Sequence, residues 1–340
     1  MGQKKIAYLQ WLRLFGAVAV VLMHTAAMKW YDAPVDSASW LALTGWDSLV
    51  RWPVTLFLMI TGALFLPRKT GVKDALCRYV PRMAVAYLIW ATVYALHSAE
   101  PGSGLRTLVT TISSGHYHLW YLPFLCGIYL MLPFLQKIAE DEELTCQLLK
   151  LGMVIGLFIP WTADLLTALF PAWKSELWSV KNHLNFTFFF DHLPVVVLGH
   201  VLSRREFTPG QRRLLYGAGL LSLVLTMAGT VWMTNLTGSR SSIFFEYNSP
   251  TTICAAAALF LFARYNLTAL PGIVAWLAER SFGIYLIHAL IIELLDERGI
   301  HALTFAPIWW VPVLSAAILA LAALAAAILG KIPGLGKYLT

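Results

Sequence analysis

Residues Trp11 to Met28 read WLRLFGAVAVVLMHTAAM. A run this long and this apolar crosses a bilayer as a helix, for which about 17–25 residues are needed. Two of its residues resist that reading, Arg13 and His24. At about 100° per residue, the eleven steps between them make three turns plus about 20°, so both side chains leave the same face, about 16 Å apart along the axis. An ionisable group inside a span faces a cavity or another polar group, and marks a site by default. The plainer alternative makes Arg13 an interfacial anchor and His24 a hydrogen-bonded core histidine. The shared face favours a site.

Working outward, the same kind of run recurs over the whole chain. Of 340 residues 59% are hydrophobic and 13% charged, about half the charged fraction of a soluble domain. Apolar runs and their breakers give about ten spans, at 8–28, 48–66, 82–97, 117–135, 148–170, 186–202, 214–234, 251–264, 281–295 and 307–330,. The runs 82–97 and 251–264 are short. With ten spans, 17 of the Lys and Arg residues fall on one side and 7 on the other. That bias predicts an all-α polytopic membrane protein with both termini cytoplasmic. Neither a repeat nor an appended soluble domain is visible, so 1–340 reads as one membrane-embedded domain. The first span contains an arginine and lacks a small-residue cleavage site, so a cleaved signal peptide is not expected.

The net charge of +7 is spread over short loops beside apolar runs, the positive-inside pattern and not a nucleic-acid face. The four cysteines form no C-x-x-C pair, which leaves no zinc or redox motif, and no metal site is expected. A Walker loop, a dinucleotide G-x-G-x-x-G, H-E-x-x-H and G-x-S-x-G are also absent, against a nucleotide-driven pump or a serine-triad hydrolase.

Other polar residues sit where a simple span would not place them. Arg51 precedes PVTLFLMITGALF, whose Thr61-Gly62 reads as a packing notch. His116, His118, Trp120 and Tyr121 open the fourth span; an aromatic belt accounts for the rings but not for two histidines. On the ninth span Ser281, Tyr285 and His288 fall at about 0°, 40° and −20°, one polar stripe that fits either an interhelical hydrogen-bond seam or a site wall. Glu246 and Asp191 lie near span ends, where either carboxylate is able to orient a histidine or simply meet water.

These residues resemble the acyltransferase-3 family of bacterial membrane acyltransferases. The likeness rests on Arg13-x10-His24, on PVTLFLMITGALF (53–65), on YHLWYLPFL (117–125) and on SFGIYLIH (281–288), four blocks in the family's order. Within the family the chain looks most like the enterobacterial common antigen O-acetyltransferase group. It departs from the pattern at Thr61, where serine is usual, and at Arg78-x3-Arg82, where R-x-x-R is usual. The resemblance implies transfer of an acyl group, usually acetyl from cytoplasmic acetyl-CoA as co-substrate, to a hydroxyl of a cell-envelope glycan or lipid-linked saccharide. It also implies that Arg13 and His24 are essential.

That chemistry needs a general base for the hydroxyl and donors for the developing oxyanion. His24 is the candidate base, or itself takes the acetyl group. Arg13 is the candidate for the donor's pyrophosphate or pantetheine arm, and Arg68, Lys69, Lys73, Arg78 and Arg82 for the phosphates of CoA, although positive-inside bias accounts for basic residues there too. Arg51, His118, Trp120, Glu246, Ser281, Tyr285 and His288 are the candidates around the acceptor. The rival reading is a glycan or lipid transporter or flippase, which calls for paired broken helices in two related halves.

Overall fold

In the computed structural model, residues 3–69, 71–102, 104–184 and 192–340 are described. The chain is 78% helical and, among the described residues, has no strand. The helices that matter here are α1 (Gln3–Ala27), α2 (Ala38–Leu49), α3 (Pro53–Phe65), α4 (Val72–His97), α5 (Leu105–Ser114), α6 (Tyr121–Ala139), α7 (Glu142–Leu169), α8 (Lys174–Leu184), α9 (Leu193–Arg204), α10 (Pro209–Thr237), α11 (Pro250–Asn266), α12 (Gly272–Glu279), α13 (Ser281–Asp296), α14 (Pro307–Leu329) and a final turn, α15 (Gly336–Leu339).

Their ends follow from local chemistry. Pro53 opens α3 at its first turn, where a missing N–H costs nothing. Thr208 and Gln211 form a reciprocal capping box on α10, and Ser37, Asp141 and Ser249 cap α2, α7 and α11 with side-chain oxygens,.

Each of the ten apolar runs carries a helix, though the run from 186 begins outside the described residues. Seven helical stretches are long and apolar enough to cross a membrane, and the bent pair α12–α13 makes an eighth if taken as one span. The short run 82–97 gains length on its N-terminal side, through a π-helical turn at Ala75–Tyr79, and becomes the 26-residue α4. By contrast α9 and α11 remain short, at 12 and 17 residues.

The outer faces are apolar. On α10, Leu220 and Val224 are 69% and 63% exposed, which water would penalise and lipid does not. Inside, α1 is central and packs against α2, α3, α11, α12, α13 and α14. The tightest contact joins α3 to α9. A Cβ on Gly62 would lie 1.7 Å from the Val196 carbonyl oxygen, and one on Gly199 would lie 2.0 Å from that of Met59. The two backbones touch because neither residue has a side chain, so the notch read at Thr61-Gly62 is a helix–helix contact. It holds α3 with Ile60, Thr61 and Leu64 on the wall of the main cavity. All four cysteines are free.

Candidate active site

The periodicity of α1 places Arg13 and His24 on one face, and both open onto a single cavity of about 590 Å³. The cavity follows α1 and is walled by α3, α4, α6, α13 and the 242–247 segment. It brings together nine of the residues selected from sequence: Arg13, His24, Arg51, Arg82, His118, Trp120, Glu246, Ser281 and Tyr285. Arg68, Lys69, Lys73 and Arg78 do not line it. Arg68 lies over the Phe65 ring at 5.3 Å and Arg78 over Tyr79 at 5.8 Å. His288 does not line it either, being wholly buried behind His24. Asp191 lies outside the described residues.

His24 and His288 form the centre of the site. Their rings stack at 5.0 Å and 14°, and His24 Nδ1 lies 2.7 Å from His288 Nε2. The proton positions follow from the partners. His288 Nδ1 is 2.7 Å from the Tyr285 carbonyl and 3.2 Å from that of Ile284. A carbonyl only accepts, so His288 Nδ1 carries the proton and, in the neutral ring, Nε2 is an acceptor. His24 Nδ1–H then donates to it. The remaining nitrogen, His24 Nε2, is left with a lone pair and has no hydrogen-bond partner among the described residues. A cavity-lining imidazole held in one tautomer with a free acceptor nitrogen is the arrangement of a general base or a nucleophile. Among the described residues, the group that orients His24 is a second histidine, His288.

A second array stands next to it. Glu293 Oε1 accepts from His116 Nε2 at 2.6 Å, and His116 Nδ1 lies 2.9 Å from His118 Nδ1. His118 is 2% exposed and forms part of the cavity wall. Its backbone carbonyl accepts from the Tyr285 hydroxyl, and the His116 ring stacks on Tyr94 at 4.1 Å. The Tyr94 hydroxyl is fixed in turn between the Leu286 carbonyl and the Leu290 amide.

At the His24 end, Arg51 pairs with Asp47 one turn earlier and lies over Phe245 at 4.3 Å. Asp47 is completely buried. Trp120 stacks on Tyr247 at 5.3 Å, giving that end a flat aromatic surface beside Glu246. At the Arg13 end the lining residues are Arg82, Tyr129, Glu279, Ser281 and Phe282. The bend of 67° between α12 and α13 is what brings Glu279 and Ser281 to the wall. Arg82 Nε donates to the Lys337 carbonyl. Arg13 has no hydrogen bond or ion pair to any described residue. An unpaired guanidinium inside a membrane helix is costly unless a ligand completes it.

Sequence reasoning missed Asp47, Glu293, Tyr129 and Glu279. Asp47 carried a signal, since an acid four residues before Arg51 meets it on a helix. Glu293 carried none, because His116 is 177 positions away.

Taken together, these features describe a helical membrane protein with an internal cavity that is lined by Arg13 and Arg82 toward one end and by His24 toward the other. The acyltransferase domain of the acyltransferase-3 family matches residues 6–328, nearly the whole chain, and the chain belongs to that family. No curated protein and no solved structure matches it.

Proposed function

We propose that this acyltransferase moves an acetyl group from acetyl-CoA to a hydroxyl of a cell-envelope glycan or lipid-linked saccharide, in the bacterial inner membrane. The reading includes ten spans, both termini in the cytoplasm, and an activity close to that of the enterobacterial common antigen O-acetyltransferase group. The observation that carries it is the pairing, in one cavity, of Arg13 with the Nε2 of His24, neither of which has a hydrogen-bond partner among the described residues.

Arg13 and Arg82 at one end favour an anionic donor, and the arginine fork suits phosphate oxygens. The Trp120–Tyr247 surface at the other end favours a sugar, whose apolar face stacks on aromatic rings while Glu246 and Arg51 meet its hydroxyls. The acceptor hydroxyl donates to His24 Nε2. As its oxygen bonds to the acyl carbon, the proton passes to Nε2, the C–S bond breaks, and the thiolate takes that same proton from the imidazolium, which returns His24 to its neutral form. The imidazolium is stabilised through His24 Nδ1–H, already placed on His288. A transporter would want broken helices in two related halves; among the described residues there is one bent pair.

The test uses membranes incubated with radiolabelled acetyl-CoA, following base-labile label into glycan. Wild-type membranes are expected to label and His24→Ala membranes, at equal protein level, to remain unlabelled. Wild-type labelling by His24→Ala would remove the base assignment, and absence of label with wild type would remove the acetyl-transfer reading.

A further inference from the structure

Gly330 to Thr340 read GKIPGLGKYLT. Pro333 lacks the amide that would continue α14, and Gly334, at φ +76°, takes the left-handed conformation that turns the chain back,. Gly336 then closes against the end of α14. Its amide donates to the Ile332 carbonyl, and a Cβ on it would lie 2.4 Å from the Gly330 carbonyl oxygen. On the other side α15 packs on α4, and Thr340 lies against Gly283 of α13. Little apolar surface is gained. Ile332 and Leu335 are 39% and 50% exposed, and Gly336 alone of residues 331–340 is buried. Apolar burial therefore gives this segment little reason to fold back; its hydrogen bond to α4 supplies another.

That bond is made by a residue of the cavity. Arg82 Nε donates to the Lys337 carbonyl at 3.2 Å, and Arg82 lines the same end of the cavity as Arg13. Its guanidinium lies over the Phe282 ring at 5.5 Å, and Phe282 is also on the wall. The carbonyl thus holds the guanidinium at Nε and the ring holds one face. Nη1 and Nη2 are left over, a parallel pair of donors in a rigid fork. Among the described residues Arg82 makes no other hydrogen bond and no ion pair. Glu279 is on this wall too, but the cation it meets is Arg280, at 3.9 Å. Two guanidinium groups without a carboxylate partner therefore serve one end of the cavity. A ligand with several anionic oxygens completes both, and phosphate oxygens match the fork.

We propose that residues 331–340 are the positioning element of the donor site: the Lys337 carbonyl, by holding Arg82 Nε, aims Nη1 and Nη2 at the pyrophosphate of the acyl-CoA donor. Gly336 is the docking point that puts the carbonyl there, so the backbone of the segment acts and its side chains need not touch the donor. The inference rests on the acyl-transfer reading above and adds to it a group 255 positions from Arg82. An arginine fixed in advance loses less side-chain freedom on binding, so the benefit falls on donor affinity. It does not fall on the chemical step, because His24 lies toward the other end of the cavity.

The experiment measures initial rates of label transfer in inverted membrane vesicles carrying their native acceptor, at matched protein level. Two radiolabelled donors are compared: acetyl-CoA, and S-acetyl-pantetheine, which has the same thioester and no phosphate. Gly336→Val drives a side chain into the Gly330 carbonyl, and a second variant ending at Leu335 removes the turn outright. Both are expected to raise KM for acetyl-CoA about 3- to 10-fold, with kcat within about twofold of wild type. Their kcat/KM for S-acetyl-pantetheine should equal that of wild type. In an Arg82→Lys background, Gly336→Val should add less than about twofold, because a single terminal nitrogen does not serve the carbonyl and a phosphate in the two directions arginine does. An unchanged KM for acetyl-CoA, an equal loss with both donors, or losses that multiply in the double variant would each overturn the assignment. With wild type active and His24→Ala inactive, those results remove this inference alone. Vesicles that label from neither donor remove the acyl-transfer reading beneath it.

Discussion

Replacing His288 with leucine tests the tautomer argument at its root. The side chain is wholly buried and has no contact with the cavity, so leucine fills a similar volume and removes only the ring nitrogens. The Tyr285 and Ile284 carbonyls lose an extra donor but keep their places in the helix. His24 Nδ1 loses the acceptor at 2.7 Å that fixed its proton. Leaving that donor without a partner costs about 1–3 kcal/mol, and the ring escapes by moving its proton to Nε2 or by turning. Either escape removes the lone pair from the cavity. The same energy, taken from the reactive state, lowers kcat about 5- to 150-fold. KM for acetyl-CoA should hardly change, because Arg13 lies about 16 Å away along α1. The assay is label transfer from radiolabelled acetyl-CoA at equal membrane protein level. A His288→Leu enzyme with kcat within about twofold of wild type would refute the derived tautomer and its role.

Three further outcomes follow from other parts of the molecule. Arg13→Lys keeps the charge and loses the fork, so KM for acetyl-CoA should rise about tenfold; unchanged kinetics would reduce Arg13 to an anchor. Gly62→Ala puts a carbon 1.7 Å from the Val196 carbonyl, a backbone overlap that no rotamer relieves. A cost of about 1–3 kcal/mol or more should appear as a lower melting temperature in detergent, with transfer activity reduced because Thr61 sits on the cavity wall,. Lys29, just beyond the end of α1, meets Asp296 at 2.9 Å, and this hydrogen bond lifts its amine above the usual lysine range. A raised folded-state value means the pair's contribution is complete below lysine's ordinary titration and fades as pH rises through the shifted one. Asp296→Asn should therefore lower stability slightly near neutrality and flatten the alkaline fall, read by melting temperature against pH.

What the chain determines locally was legible without a structure. Helical periodicity alone put Arg13 and His24 on one face, because a regular helix turns by a fixed angle and both residues lie on one uninterrupted stretch. The same arithmetic aligned Ser281, Tyr285 and His288, and composition alone made the protein a helical membrane protein. Partners across helices were not legible. His288 occupies the polar stripe that was read, yet it serves as the hydrogen-bond acceptor for His24, 264 positions away, and not as a cavity wall. Glu246 and Asp191 were the carboxylates in view, while the one that meets His116 is Glu293, on the apolar-looking half of α13. The basic residues after α3 looked alike in sequence, and only packing separates Arg82, which enters the cavity, from Arg68, Lys69, Lys73 and Arg78, which do not. A sequence specifies which side chains share a helix face; which face meets which is decided by close contacts such as Gly62 on Gly199, where two backbones touch and set the walls of the site.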